Sequence, residues 1–115
     1  MTTVVYGIKN CDTIKKTLKW LEAENKAFEF HDYRKDGIDQ AMVQRFIDAL
    51  GWEALVNKRG TTYRQLSDEQ KNNLNADNAA ALMLIHPAMI KRPLLEHNGE
   101  YHLGFKPEQY ETIFS

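Results

Sequence analysis

Apolar residues recur along this chain with two different periods, and the switches between them mark out short strands and helices. Val4, Val5 and Tyr6 form a β-branched and aromatic run too short for a helix, and Gly7 and Asn10 follow with turn chemistry, so the stretch predicts a buried strand and a turn. From Thr13 the spacing changes. Ile14, Leu18 and Leu21 fall at i, i+4 and i+7 with Lys15, Lys16, Lys19 and Glu22 between them, which predicts a helix of about three turns with one apolar stripe. Glu24-Asn25-Lys26 ends that helix, and Ala27-Phe28-Glu29-Phe30-His31 alternates as a second strand. With a single helix as crossover, the two strands are expected to be parallel neighbours joined in the right-handed sense.

Residues 32–37 are charged and turn-rich, and Asp39 then predicts an N-cap for a helix whose Met42, Val43, Phe46, Ile47 and Leu50 form its apolar face, closed by Gly51. After Trp52, Leu55 and Val56 comes a cationic, hydroxyl-rich loop from Asn57 to Arg64. Ser67-Asp68-Glu69-Gln70 has the form of a capping box and opens a short helix ending near Leu74. Asp77 predicts the cap of another helix, with Ala81, Leu84 and Ile85 on its buried side and Pro87 stopping it after His86. Several short helices in series make no sheet, so the sheet resumes later. It does so at residues 92–97 and 100–105, where the intervening Asn98-Gly99 predicts a type I′ hairpin pairing 97 with 100 and 95 with 102. Pro107 starts a last helix, and its Tyr110, Ile113 and Phe114 are expected to dock on the sheet.

At 115 residues the chain is long enough for one domain with its own core. A net charge of -1 and the lack of a long basic run argue against nucleic acid or anionic membrane as the main partner. No apolar run is long enough to span a bilayer and the N-terminus lacks a signal-peptide pattern, so a cytoplasmic protein, active as a monomer, is expected. The single cysteine excludes an internal disulfide and suits a reducing compartment.

That cysteine, Cys11, falls at the predicted start of the first helix. The first helical N-H groups have no intrahelical partner and, with the macrodipole, favour an anion placed there. Thiols so placed near cations have lowered pKa values, and the thiolate is the reactive form. Lys9 and Lys15 flank Cys11 and add to this effect, while Asp12 opposes it, and Lys9, Asn10 and Lys15 are expected among the substrate-binding residues, with Lys58, Arg59, Pro93 and Lys106. A lone cysteine is more often a small buried hydrophobe, and only its position favours a nucleophile here. The Asn57 to Arg64 loop reads as solvated surface, or alternatively as an anion-binding segment in which Lys58 and Arg59 take part. A cysteine phosphatase would need Cys-x5-Arg, but that position holds Thr17. His97, Glu100 and His102 share a hairpin face, which a polar tip explains, so no metal is expected.

Three stretches carry a resemblance: Tyr6-Gly7-Ile8-Lys9-Asn10-Cys11-Asp12-Thr13-Ile14-Lys15-Lys16, Asn57-Lys58-Arg59-Gly60-Thr61-Thr62-Tyr63, and His86-Pro87-Ala88-Met89-Ile90-Lys91-Arg92-Pro93-Leu94. Over essentially its whole length the chain resembles the arsenate reductase-related ArsC/Spx/YffB family, most closely the YffB branch. The resemblance implies an α/β, thioredoxin-like fold, a β-α-β plus β-β-α mixed sheet with an inserted helical subdomain. The thioredoxin-like parts would be about 1–37 and 91–115, and the insert about 38–90. It also implies that Cys11 is the redox-active nucleophile, that Arg92 directs its guanidinium toward it, and that a cis Arg92-Pro93 peptide faces the cysteine. A permanently charged, five-donor fork beside a thiolate would favour the anion and hold an oxyanion or carboxylate, although an arginine at a strand start is on sequence alone a surface residue.

Departures from the family pattern narrow the chemistry. Arsenate-reducing members have two further arginines, which correspond here to Asn57, with Lys58 and Arg59 close by, and to Lys106. Lysine lacks the planar fork and asparagine the charge, which argues against arsenate as substrate. Members of the Spx branch often carry Cys-x-x-Cys, where this chain has Ile14. The expected activity is therefore a thiol-dependent reduction resembling that of glutathione-dependent arsenate reductases. The resemblance implies no bound cofactor, glutathione as co-substrate, and release of the intermediate from Cys11 by glutathione or a glutaredoxin. The alternative is an adaptor that binds the RNA polymerase α subunit, as Spx-like relatives do, without turnover. A third reading is a vestigial fold member whose cysteine is inert.

Overall fold

Val5 and Leu95 lie opposite each other in neighbouring strands, both fully buried, and the sheet is built outward from that pair. The structure is a computed structural model that describes residues 3–9 and 11–115. Along the chain the elements are β1 (Thr3–Gly7), α1 (Asp12–Ala23), β2 (Glu29–Asp32), α2 (Gln40–Leu50), α3 (Trp52–Leu55), α4 (Thr61–Arg64), α5 (Asp68–Asn72), α6 (Ala76–Ile85), a 3-10 turn at Pro87–Met89, β3 (Leu94–His97), β4 (Glu100–Leu103) and α7 (Pro107–Ile113). They divide into two units, one formed by the chain up to Asp36 and from Arg92 onward, the other by Gly37–Lys91.

The first unit carries a four-stranded mixed sheet in the order β2-β1-β3-β4, with β1 and β2 parallel and the other pairs antiparallel. The predicted βαβ unit and hairpin are both present. Asn98 and Gly99 have φ of 53° and 83°, as a type I′ turn requires, and the register pairs His97 with Glu100 and Leu95 with His102. β2 lies further along than the alternation from Ala27 predicts. Its last residue, Asp32, pairs with Gly7, and the amide of Tyr33 donates to the Gly7 carbonyl at 2.9 Å, so the pairing with β1 draws the strand toward the turn. Asp32 also organises that turn, since its carboxylate accepts from the Arg34 amide at 2.9 Å.

α1 buries Ile14, Thr17 and Leu21, with Leu18 packed at the edge. Thr17 was legible only as a polar residue, yet it is fully buried; its hydroxyl donates to the Thr13 carbonyl at 2.7 Å and so needs no partner outside the helix. From α7, Tyr110 joins Val5, Ile14, Leu21 and Leu95 in the core, with Ile113 and Phe114 at its margin. The Trp20 and Phe105 rings meet Tyr110 edge-on, with centroids 5.6 and 4.9 Å away, an arrangement suited to the aromatic quadrupole.

The second unit is helical. Asp39 caps α2 by accepting from the Met42 amide at 2.8 Å, Gly51 ends it with φ 87°, and Val43, Phe46 and Ile47 are buried. Ser67 and Gln70 form the complete capping box at the start of α5. Two expectations are corrected here. α6 is capped by Asn75, not Asp77, because Asn75 accepts from the amides of Asp77 and Asn78 while Asn78 reaches back to the Asn75 amide. Its buried side is Ala79, Ala80 and Met83, not Ala81, Leu84 and Ile85, and Ile85 is 68% exposed. From Ala79 onward α6 is apolar all round, so periodicity does not say which face turns inward. The cationic stretch is likewise not all loop, since Thr61–Arg64 forms one helical turn. Among the described residues no helix is long and apolar enough to cross a membrane.

Gly7 has turn chemistry in the sequence, but it is the last residue of β1 and its role is spatial. A Cβ there would overlap Cδ1 of Ile14 and stand 3.1 Å from its Cγ1, and Ile14 is itself only 1% exposed. Gly7→Ala is therefore expected to cost about 1–3 kcal/mol by overpacking. Urea denaturation should show a lower midpoint with an unchanged slope, whereas an unchanged midpoint would mean that α1 is free to shift.

Candidate active site

Cys11 is the residue at which extended backbone turns into α1. Its φ of -132° and ψ of 126° are those of an N-cap, and its carbonyl accepts from the Lys15 amide at 3.0 Å. A serine or aspartate here would cap the first-turn amides with oxygen. The Cys11 sulfur makes no capping hydrogen bond of ordinary geometry, which leaves those amides to favour an anion once the thiol proton is gone.

The sulfur is partly buried against the core cluster of the first unit. Burial pushes the thiol pKa up and is the largest single influence on it. Four contributions oppose burial, in order the Ile14 backbone N-H, a hydrogen bond from the Arg92 side chain, the Thr13 backbone N-H and the Arg92 charge. Together they outweigh it, and the thiol lies below its ordinary value.

Arg92 is carried to this point by the strand that follows it. The Arg92-Pro93 peptide is cis, Pro93 is buried, and the Pro93 carbonyl accepts from the Gly104 amide at 3.0 Å, which ties the segment to the far side of the hairpin. The missing side chain of Gly7 makes room for Ile14, and a Cβ there would stand at ordinary contact distance, 3.9 Å, from that of Arg92. One glycine thus admits the helix start.

The sequence reading missed Tyr33. It lies in a charged turn, yet it is 3% exposed, its ring stacks on Tyr6 with centroids 6.3 Å apart, and its hydroxyl is buried with no hydrogen-bond partner. Burial pushes its pKa far above the tyrosine range, the neighbouring Tyr6 adds to this, and Arg92 pulls the other way, which places the phenol within the field of the same guanidinium. An aromatic residue inside a polar run was the only signal available.

The other residues singled out from the sequence are distributed more widely. Lys9 and Lys15 are exposed, and the influences that lower the thiol pKa come from Arg92 and the two amides. Asn10 lies outside the described residues. Lys106 is the exposed N-cap of α7 in the first unit. Lys58 and Arg59 are exposed in the second unit, between α3 and α4. His97 hydrogen-bonds Thr3 Oγ1 at 2.8 Å and packs on Phe114 at 4.4 Å, and among the described residues no three His, Cys, Asp or Glu side chains converge as a metal site.

The sequence pattern of the ArsC family matches residues 6–113. An uncharacterized protein of Haemophilus influenzae is 43% identical over 111 residues, which cover 96% of this chain and 97% of that one. Among solved structures, the YffB protein shares 45% identity with a TM-score of 0.93 and covers 99% of this chain and 100% of its own. An arsenate reductase (ArsC) related protein from Brucella melitensis shares 47% identity with a TM-score of 0.82, covering 100% of this chain and 96% of its own.

The lowered thiol has a thermodynamic consequence. A thiol whose folded pKa lies below its unfolded value gives the folded chain a stabilisation that is absent below the folded pKa, grows as pH rises, and is complete above the unfolded value of about 8.5. The unfolding free energy of the native chain minus that of Cys11→Ser is therefore expected to rise with pH across that interval and then level off. Urea melts at a series of pH values measure it, and a difference that stays flat would contradict the lowered thiol.

Proposed function

The chain belongs to the ArsC family, with the arsenate reductase-like, thioredoxin-like fold of that family, and from that premise we propose that it is a thiol oxidoreductase whose nucleophile is the Cys11 thiolate. The observation that carries this reading is the convergence on one sulfur of the two first-turn amides and the Arg92 guanidinium, which favour the anion in spite of burial.

In the proposed reaction the Cys11 thiolate attacks one sulfur of a disulfide or glutathione adduct. A bond forms between the Cys11 sulfur and that atom, the substrate S-S bond breaks, and the second sulfur leaves with the electron pair and takes up a proton. The chain has no second cysteine to resolve the intermediate, so an external thiol completes the cycle. Glutathione is the proposed co-substrate: its thiolate attacks the mixed disulfide and releases Cys11 as thiolate, or a glutaredoxin does so. For a glutathione adduct attacked at its glutathione sulfur, one cycle consumes one external glutathione, releases the substrate as a thiol and forms glutathione disulfide from the external thiol and the half held on Cys11. Arg92 stabilises the thiolate in the resting state and again as it is released. With Asn57 and Lys106 in place of the further arginines of the arsenate-reducing pattern, a sulfur electrophile fits this chain better than arsenate. The setting proposed is a reducing, cytoplasmic one, where glutathione is available.

Reduction of a glutathione mixed disulfide, with glutathione as the sole reductant, tests the reading. The native chain is expected to turn over, Cys11→Ser to lose at least about a hundredfold in rate, and Arg92→Ala to lose about ten- to a hundredfold, as removal of a hydrogen bond to a charged group worth about 1.5–3 kcal/mol implies. Turnover that survives Cys11→Ser would overturn it. Retention of the RNA polymerase α subunit by a native chain that shows no turnover would favour the adaptor instead.

A further inference from the structure

The second unit contains a cavity of its own. Its volume is about 560 Å³, within the range of small-molecule sites, and Lys58, Arg59 and Lys91 line it together with Asn57, Val56 and a single acid, Glu53. The three cations come from two separate segments, and backbone pairing holds those segments side by side. The Asn57 amide donates to the Met89 carbonyl at 2.7 Å, the Lys91 amide donates to the Leu55 carbonyl at 2.7 Å, and Val56 and Ile90 form an antiparallel bridge between them. Val56 and Ile90 are buried at 1% and 0% exposure, so the pairing is anchored in the core of the unit.

The loop is shaped as well as anchored. Asn57 Oδ1 accepts from the Arg59 amide at 3.3 Å and the Asn57 carbonyl accepts from the Gly60 amide at 3.1 Å, which closes a tight turn that presents Lys58 and Arg59. Gly60 permits that closure, because a Cβ there would stand 2.9 Å from Asn57 Nδ2. Among the described residues none of the three cations makes an ion pair, with Glu53 or with any other acid. The chain as a whole has 15 basic and 16 acidic residues, so cations gathered without counter-charge do not follow from its composition. The three cations are exposed to solvent, and the ammonium, guanidinium and amide groups that line the cavity are hydrogen-bond donors suited to an anion.

We infer that this cavity is a binding site for a small anion bearing two or more negative charges, carboxylate or phosphate in kind, held by Lys58, Arg59 and Lys91 with the Asn57 side chain as a neutral donor. Three cations and one carboxylate line the cavity, a net positive lining that favours a ligand with more than one negative charge. Arg59 grips a planar carboxylate or a phosphate edge through two donors, and the two lysines supply point charges around it. The site lies wholly within Gly37–Lys91 and needs nothing from Cys11.

Amide resonances of the full-length chain carrying Cys11→Ser, followed by NMR during titration with citrate and separately with inorganic pyrophosphate, test the inference. The substitution removes thiol chemistry, so a failure here leaves the oxidoreductase reading standing and the reverse also holds. The expected result is a saturable shift of amides in 53–59 and 89–91 with at least one of the two anions, weakened at least about tenfold in the added presence of Lys58→Gln and Lys91→Gln and unchanged by Lys16→Gln with Lys19→Gln on the exposed side of α1. Saturation by citrate alone identifies carboxylate chemistry, and by pyrophosphate alone phosphate chemistry. No saturable shift with either anion, shifts spread over the surface, or binding that survives the Lys58 and Lys91 substitutions would overturn it.

Discussion

The close approach of the first turn of α1 to the end of β1 is the constraint on which the candidate site depends. Gly7 has no room for a side chain because Ile14 occupies that space, and Ile14 is there because it belongs to the core with Val5, Leu21, Leu95 and Tyr110. The hydrophobic contact therefore sets where the helix begins. It brings Cys11 to the N-cap and the amides of Thr13 and Ile14 to its sulfur, on the flank where Arg92 emerges from the cis peptide before β3. Packing energy places the groups, and electrostatics then acts on the geometry that packing has made.

At the sulfur two opposed effects are nearly matched in kind. Partial burial removes water that would stabilise a thiolate, and the same removal strengthens each donor directed at it. The donors prevail because there are several of them and one carries a full charge. Tyr33 belongs to this balance: its phenol is buried without a hydrogen-bond partner, and the charge of Arg92 acts on it as it does on the thiol.

Much of this was legible in the chain because the signals were local. Asn98-Gly99 demands positive φ, Ser67 and Gln70 complete each other's hydrogen bonds, and Asp39 and Gly51 bracket α2; each depends on residues within one turn. What was not legible depends on tertiary packing. The inward face of α6 is decided by what it packs against, since its apolar residues surround the helix; β2 is placed by its pairing with Gly7; and the burial of Tyr33 and Thr17 follows from neighbours distant in sequence. Cys11 was prominent as the sole cysteine at a strand-to-helix junction, whereas the pull of Arg92 on it crosses 80 residues of chain and entered only through the family pattern. Lys91 shows the same limit. Its place beside Lys58 and Arg59 comes from backbone pairing that no local motif announces.

Arg92 and the helix start lower the Cys11 thiol pKa, and the rate of alkylation by iodoacetamide as a function of pH, in the native chain and in Arg92→Ala, tests this most directly. The rate follows the thiolate fraction and so reports the thiol pKa. The account predicts a native pKa below the free-thiol value of about 8.5 that rises when the guanidinium is removed. A native pKa at or above that value, unchanged in Arg92→Ala, would contradict it.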